Sequence, residues 1–182
     1  PASLLRQWPA CATEKRMTTD ATPPRSLLYV PGSNARALEK AQGLAADLLI
    51  IDLEDAVPAD RKIEAREAMR RAVEAGYPGK RVAVRVNATG SWEQEADIAA
   101  LYGLALDGVV LPKVDAVADL APVRALGVPI LAMIETPVAI YAARDIGADP
   151  AVAGLIAGLN DLAYELKLPD GMDRGAMSHA IQ

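Results

Sequence analysis

The sequence predicts an α/β fold, a (β/α)8 TIM barrel with about six of its eight βα units present in this 182-residue chain. Three observations carry that expectation. From Arg25 onward, short apolar runs alternate with longer Ala-, Glu- and Arg-rich stretches, the pattern of a parallel sheet with helices outside it. Most of the runs show little polar alternation, as strands buried on both faces do. Ionisable residues gather at the C-terminal end of run after run, where barrels of this kind carry their chemistry.

The runs in order are SLLYV (26–30), DLLIIDL (47–53), RVAVRV (81–86), GVVLP (108–112), PILAMI (129–134) and GLIAGL (154–159). RVAVRV is the exception to the apolar rule, since Arg81 and Arg85 interrupt it. The intervening stretches read as helices. In NARALEKAQGLAA the apolar residues Ala37, Leu38, Ala41 and Leu44 recur at helical spacing, with Ser33 or Asn34 available as cap. DRKIEAREAMRRAVEAG places Ile63, Met69, Ala72 and Val73 on its expected core side, and Gly76 ends it. EQEADIAALYGLA and DAVADLAPVRALG continue the pattern, Pro122 breaking or shortening the second. TPVAIYAARDIG follows, with Pro137 suited to a first helical turn.

An open doubly wound sheet is the competing architecture. Its usual GxGxxG or GxxxxGK[ST] signature is absent after the first strand, which runs into PGSN instead. A closed barrel needs two further units, roughly 60 residues at a typical size of about 250, so the chain is expected to be truncated. Residues 1–24, interrupted by four prolines and lacking a secretory apolar run, are expected to form a tail or extension, with Met17 as a candidate natural start. The barrel domain is expected over 25–182. A net charge of −5 argues against nucleic acid or an anionic membrane as partner. No apolar run approaches a membrane span, and the single Cys11 excludes a disulfide framework, so a cytoplasmic setting is expected.

The strand ends supply Pro31, Gly32, Ser33 and Asn34; Asp52, Glu54 and Asp55; Arg85 and Asn87; Lys113; Glu135 and Thr136; Asn160 and Asp161. Taken singly, Asp52, Glu54, Asp55 or Asp161 also suits a helix cap. Lys113 is either an electrostatic group of the site or a partner of Asp55, and the pairing is preferred. Glu135 is harder to explain structurally. A carboxylate leaving a run as apolar as ILAMI is costly to desolvate without a cation or several donors. Glu135 and Asp161 end adjacent strands, about 5 Å apart, and an oxygen-only donor set selects Mg2+, or Mn2+, over zinc. The sole histidine, His179, reads as a surface residue.

Together RSLLYVPGSNARALEKA, DLLIIDLEDAV, VAVRVN, GVVLPKV, AMIETP and GLIAGLNDLA resemble the citrate lyase β-subunit-like branch of the HpcH/HpaI aldolase family, in order from Arg25 to about Ser178. The resemblance implies a homotrimeric or hexameric barrel that cleaves citryl-, malyl- or citramalyl-type thioesters of coenzyme A or acyl carrier protein to an acetyl thioester and a 2-keto acid. It implies Glu135 and Asp161 as Mg2+ ligands and Arg85 as the group that binds substrate oxygens. Glu54 and Asp55 become an acidic pair holding metal-bound water. Pro31, Gly32, Asn87, Lys113 and Asn160 are the remaining candidates for substrate contact. Alternatives are an aldolase of free 2-keto acids, a malyl-CoA thioesterase, or a noncatalytic carrier-associated subunit of a larger lyase complex.

Overall fold

The computed structural model describes residues 23–169 and 174–181. Most of the expected tail, residues 1–22, lies outside them. Six strands form one sheet: β1 (Leu27–Pro31), β2 (Leu48–Asp52), β3 (Arg81–Arg85), β4 (Gly108–Leu111), β5 (Ile130–Ile134) and β6 (Val152–Ala157). They pair in parallel in the order β1-β2-β3-β4-β5-β6. The helices are α1 (Ala35–Ala41), α2 (Lys62–Ala75), α3 (Gln94–Leu101), α4 (Ala121–Arg124), α5 (Pro137–Gly147), α6 (Leu159–Glu165) and α7 (Ser178–Ile181).

The two faces of the sheet decide between the competing architectures. Leu49, Ile51, Val82, Val84, Val109, Leu111, Ile130 and Ala132 pack with helix residues such as Leu38, Ala65, Met69, Leu101, Val123 and Ile146. On the other face Leu48, Ile50, Ala83, Val110 and Met133 cluster with Leu131 and Ile156, all from strands. A doubly wound sheet buries helices on both faces. Here one face is lined by strands alone, the interior of a barrel. With six strands the cylinder is partial: β1 and β6 each pair on one side, and Tyr29 and Leu155 remain 37% and 44% exposed.

Local signals hold at several ends. Asn34 caps α1 by accepting from the Ala37 N–H (3.1 Å). Thr136 caps α5 ahead of Pro137. Pro122 stands in the first turn of the four-residue α4, preceded by a 3-10 turn over Val117–Leu120, so this helix is indeed short. The phase of α2 agrees with expectation at Met69, Ala72 and Val73 and departs from it at Ile63. Lys62, Ala65 and Met69 are its buried residues, while Ile63 is 70% exposed. Lys62, Ala65, Met69, Ala72 and Val73 share one helical face, and Ile63, one residue on from Lys62, points away from it.

Candidate active site

Alternation along β2 and β3 turns Asp52 and Arg85 to the barrel interior, and the parallel register sets them directly opposite each other. Arg85 Nε donates to Asp52 Oδ1 (2.8 Å) and Nη2 to Asp52 Oδ2 (2.6 Å), a bidentate pair. The remaining nitrogen, Nη1, lies 3.2 Å from Glu54 Oε2 and 3.6 Å from Asp55 Oδ2. Burial alone lowers the guanidinium pKa. The hydrogen bonds and charge of Asp52, with the charges of Glu54 and Asp55, reverse that and hold it above its ordinary value. Arg85 also stands 5.1 Å over the Tyr29 ring, whose hydroxyl donates to Met133 Sδ (3.9 Å).

Asp52 serves the backbone too. Its Oδ1 accepts from Glu54 N (2.8 Å) and its Oδ2 from Ala56 N (3.2 Å), shaping the turn that carries Glu54 and Asp55. Glu54 is buried, and its Oε2 has no aligned hydrogen-bond donor. Burial is the main cause that pushes the Glu54 carboxyl up to about 7; Arg85 pulls the other way, and Asp55 adds to the rise.

Glu135 follows β5 and is 2% exposed. Its Oε1 accepts from Lys113 N (2.7 Å). Lys113 reaches that position with φ 52, a left-handed backbone that costs a non-glycine residue about 1–2 kcal/mol. Burial raises the Glu135 pKa; the Lys113 amide opposes the shift, and the Asp161 charge reinforces it. Gly158, the residue before α6, makes room for this carboxylate. A Cβ there would stand 2.6 Å from Glu135 Cβ and closer still to Oε2. Asp161 lies in the first turn of α6, but the cap residue is Gly158 and makes no side-chain cap bond, so Asp161 is free of that duty.

Lys113 joins the two halves, with Nζ 3.5 Å from Glu54 Oε1 and 3.9 Å from Asp161 Oδ2. The preferred Lys113–Asp55 pairing is therefore corrected: Asp55 turns to Arg85, and Lys113 bridges Glu54 and Asp161. The structure thus gathers Glu54, Asp55, Arg85, Lys113, Glu135 and Asp161 at one rim. Glu54 and Asp55 cap no helix. Asn160 is exposed beside Asp161. Gly32 is buried against the end of β2, donating its N–H to Asp52 O (2.8 Å), and a Cβ would come within 2.9 Å of that oxygen. Pro31 pairs with Asp52 in register. Asn87 is a second correction. Its side-chain amide is turned into the protein, to Lys62 (2.8 Å), Leu53 O (3.1 Å) and Asp97 (2.6 Å), and not toward substrate. Arg25 is bound to Asp47 before β1, at the end of the barrel away from this rim.

The sequence reading missed Asp52 as the partner of Arg85, Tyr29 as its apolar bed and Gly158 as the space for Glu135. For Asp52 the signal was present: LLIID alternates so that its last residue shares a face with Leu48 and Ile50. Among the described residues no group of three or more His, Cys, Asp or Glu is placed to hold a metal ion. The donor chemistry nonetheless suits a hard cation. The carboxylates of the rim offer oxygens only, one of them, Glu54 Oε2, buried with no aligned hydrogen bond beside Arg85, and Mg2+ is commonly held by one or two carboxylates with water and substrate completing its shell.

The residues 25–182 match the model of the HpcH/HpaI aldolase/citrate lyase family. The chain belongs to this family. A (3S)-malyl-CoA thioesterase of Cereibacter sphaeroides is 45% identical over 168 residues, covering 91% of this chain and 59% of the relative. A citrate lyase subunit beta-like protein of Deinococcus radiodurans is 37% identical, covering 82% of this chain and 57% of that protein. The chain therefore spans less than two thirds of these relatives. Among solved structures, a citrate lyase β subunit of M. tuberculosis complexed with oxaloacetate and magnesium aligns with TM-score 0.73 and 31% identity over 85% of this chain and 69% of that one. The protein CitE of M. tuberculosis complexed with magnesium, acetoacetate and coenzyme A aligns with TM-score 0.74 and 32% identity over 88% and 59% of the two chains. The citrate-lyase-like barrel expected from the motifs is thus the fold observed.

Proposed function

We propose that the protein carrying this chain is a magnesium-dependent carbon–carbon lyase that cleaves a 3-hydroxy-acyl thioester of the malyl-CoA class into acetyl-CoA and a 2-keto acid. The observation that carries the reading is the Asp52-clamped Arg85 facing Glu54 and Asp55, with Glu135 and Asp161 across the rim, in a chain 45% identical to enzymes of malyl-CoA.

Cleavage breaks the bond between the hydroxyl-bearing carbon and the carbon next to the thioester carbonyl. The hydroxyl proton departs, the bonding pair becomes a thioester enolate, and that carbon is protonated to acetyl-CoA. Arg85, fixed by Asp52 and permanently charged, offers donors to the carboxylate and nascent carbonyl oxygen as negative charge moves. Glu54, with its carboxyl pushed up to about 7, is able to hold or release a proton near neutrality. Glu135 and Asp161 would hold Mg2+, which supplies Lewis-acid charge stabilisation and a template for the keto acid. Asp55, Lys113 and Asn160 complete the substrate-facing rim.

Hydrolysis of malyl-CoA is the second reading, favoured by the 45–46% identity to thioesterases. The two separate by product. Incubating the full-length protein with malyl-CoA and Mg2+ should release glyoxylate without free thiol for the lyase. Free CoA with malate identifies the hydrolase, and neither product refutes both. A cytoplasmic homotrimer or hexamer completes the proposal. Among the described residues no helix is long and apolar enough to cross a membrane. Light scattering tests the assembly.

A further inference from the structure

Lys62 is a buried cation that the proposed chemistry does not use. It opens α2, is 8% exposed, and its Nζ donates to Leu53 O (2.6 Å), Glu54 O (2.8 Å) and Asn87 Oδ1 (2.8 Å). An ammonium has three donors, so all are spent, and on neutral oxygens. Burying an ammonium in this way is expensive relative to water. The neighbouring Ile63 is left 70% exposed.

What Lys62 grips is the turn after β2. The amides of that turn are already fixed: Leu53 N donates to Arg85 O (2.9 Å), Glu54 N and Ala56 N to the Asp52 carboxylate, and Val57 N to Glu54 O (3.0 Å). Lys62 takes the Leu53 and Glu54 carbonyls, and Asn87 Nδ2 shares the first of them. Asn87 is held in turn by the fully buried Asp97, whose other oxygen accepts from Arg66 Nη1 (3.0 Å). This brace from α2, the segment after β3, and α3 ends on the residue whose side chain faces Arg85 and Lys113.

We propose that Lys62 is a positioning residue: by clasping the Leu53 and Glu54 carbonyls it fixes the Glu54 and Asp55 carboxyl groups against Arg85. The kinetic part rests on the proposed thioester cleavage; the structural part does not. Arg70 supplies a matched comparison. It also lies on α2 and also holds two backbone carbonyls, Ala100 O (2.6 Å) and Tyr102 O (3.2 Å), on a segment that carries no rim residue.

The test compares Lys62→Met, Lys62→Gln and Arg70→Met in the full-length protein, by steady-state turnover of malyl-CoA and by backbone amide exchange without substrate. Lys62→Met is expected to lower kcat about 10- to 100-fold with KM within about twofold. Exchange should quicken at Leu53–Val57 while β4 to β6 stay protected. Lys62→Gln, which keeps two donors, should fall between it and wild type and serves if the Met variant does not fold. Arg70→Met should leave kcat unchanged and quicken exchange only near residues 100–104. Wild-type kcat in a folded Lys62 variant, or exchange rising equally across the barrel, overturns the proposal. If wild type turns over no malyl-CoA, the proposed function falls, yet the exchange experiment still decides whether Lys62 holds the turn.

Discussion

On the β2–β3 side of the rim, the buried charges come with opposite charges attached: Arg85 holds Asp52 at two points and stands beside Glu54 and Asp55. On the β5–β6 side, Glu135 is equally buried, yet its one hydrogen bond is from the Lys113 backbone N–H, and the charges of Lys113 and Arg85 act on it from further away. The first side is preorganised by the chain itself. The second pairs its carboxylates more loosely, with Lys113 Nζ 3.9 Å from Asp161 Oδ2, and burial raises the Glu135 pKa. A site that recruits a cation has to be built in the second way, because acceptors already satisfied internally have nothing left to offer.

Replacing each side should therefore fail differently. Arg85→Met removes charge stabilisation and strands Asp52. Turnover should fall by about 10³-fold and unfolding stability by about 3–5 kcal/mol, read by assay and by denaturant titration. Equal stability to wild type would show that the β2–β3 side is not preorganised by its ion pair. Glu135→Gln should lower Mg2+-dependent turnover by about 10²-fold or more while leaving the melting temperature of the metal-free protein unchanged or higher. A large loss of stability would mean that Glu135 is structural. Gly158→Ala pushes a methyl into Glu135, with an expected cost of about 1–3 kcal/mol and weaker Mg2+ binding by calorimetry.

A pH-dependent effect concerns Glu54, which belongs to the first side yet keeps one oxygen without an aligned hydrogen-bond donor. Its ordinary pKa of 4.5 rises to about 7 on folding, so between those values the folded chain retains a proton that the unfolded chain has lost. The contribution is fully present below pH 4.5 and is lost as pH rises through about 7. The full span corresponds to about 3 kcal/mol. In the presence of a chelator, wild type should lose up to that much more stability than Glu54→Gln between pH 4.5 and 7. Parallel pH profiles of the two proteins would show that Glu54 titrates normally.

Much of this site was legible along the chain because it sits at strand ends, where a polar residue interrupts an apolar run. Glu135 after ILAMI and Arg85 within RVAVRV are visible in that way, whereas Asp161, expected at the end of the sixth strand, lies in the first turn of α6. Asn87 misled because the residues after a strand no longer obey its alternation; its amide turns back to Lys62 and Asp97 instead of to substrate. Lys113 misled because its partner depends on a left-handed backbone that its own residue type does not announce.

The amino-acid order by itself determined the strand–helix alternation, the parallel barrel and the acidic, oxygen-only character of one rim, since each follows from periodicity and composition read locally. Tertiary structure alone decided that Asp52 clamps Arg85, that Lys113 bridges Glu54 and Asp161, and that α2 buries Lys62 and leaves Ile63 in solvent. Those outcomes depend on the register between strands and on the rotation of a helix over the sheet. Both are set by the pairing of groups distant along the chain, and no local pattern encodes that pairing.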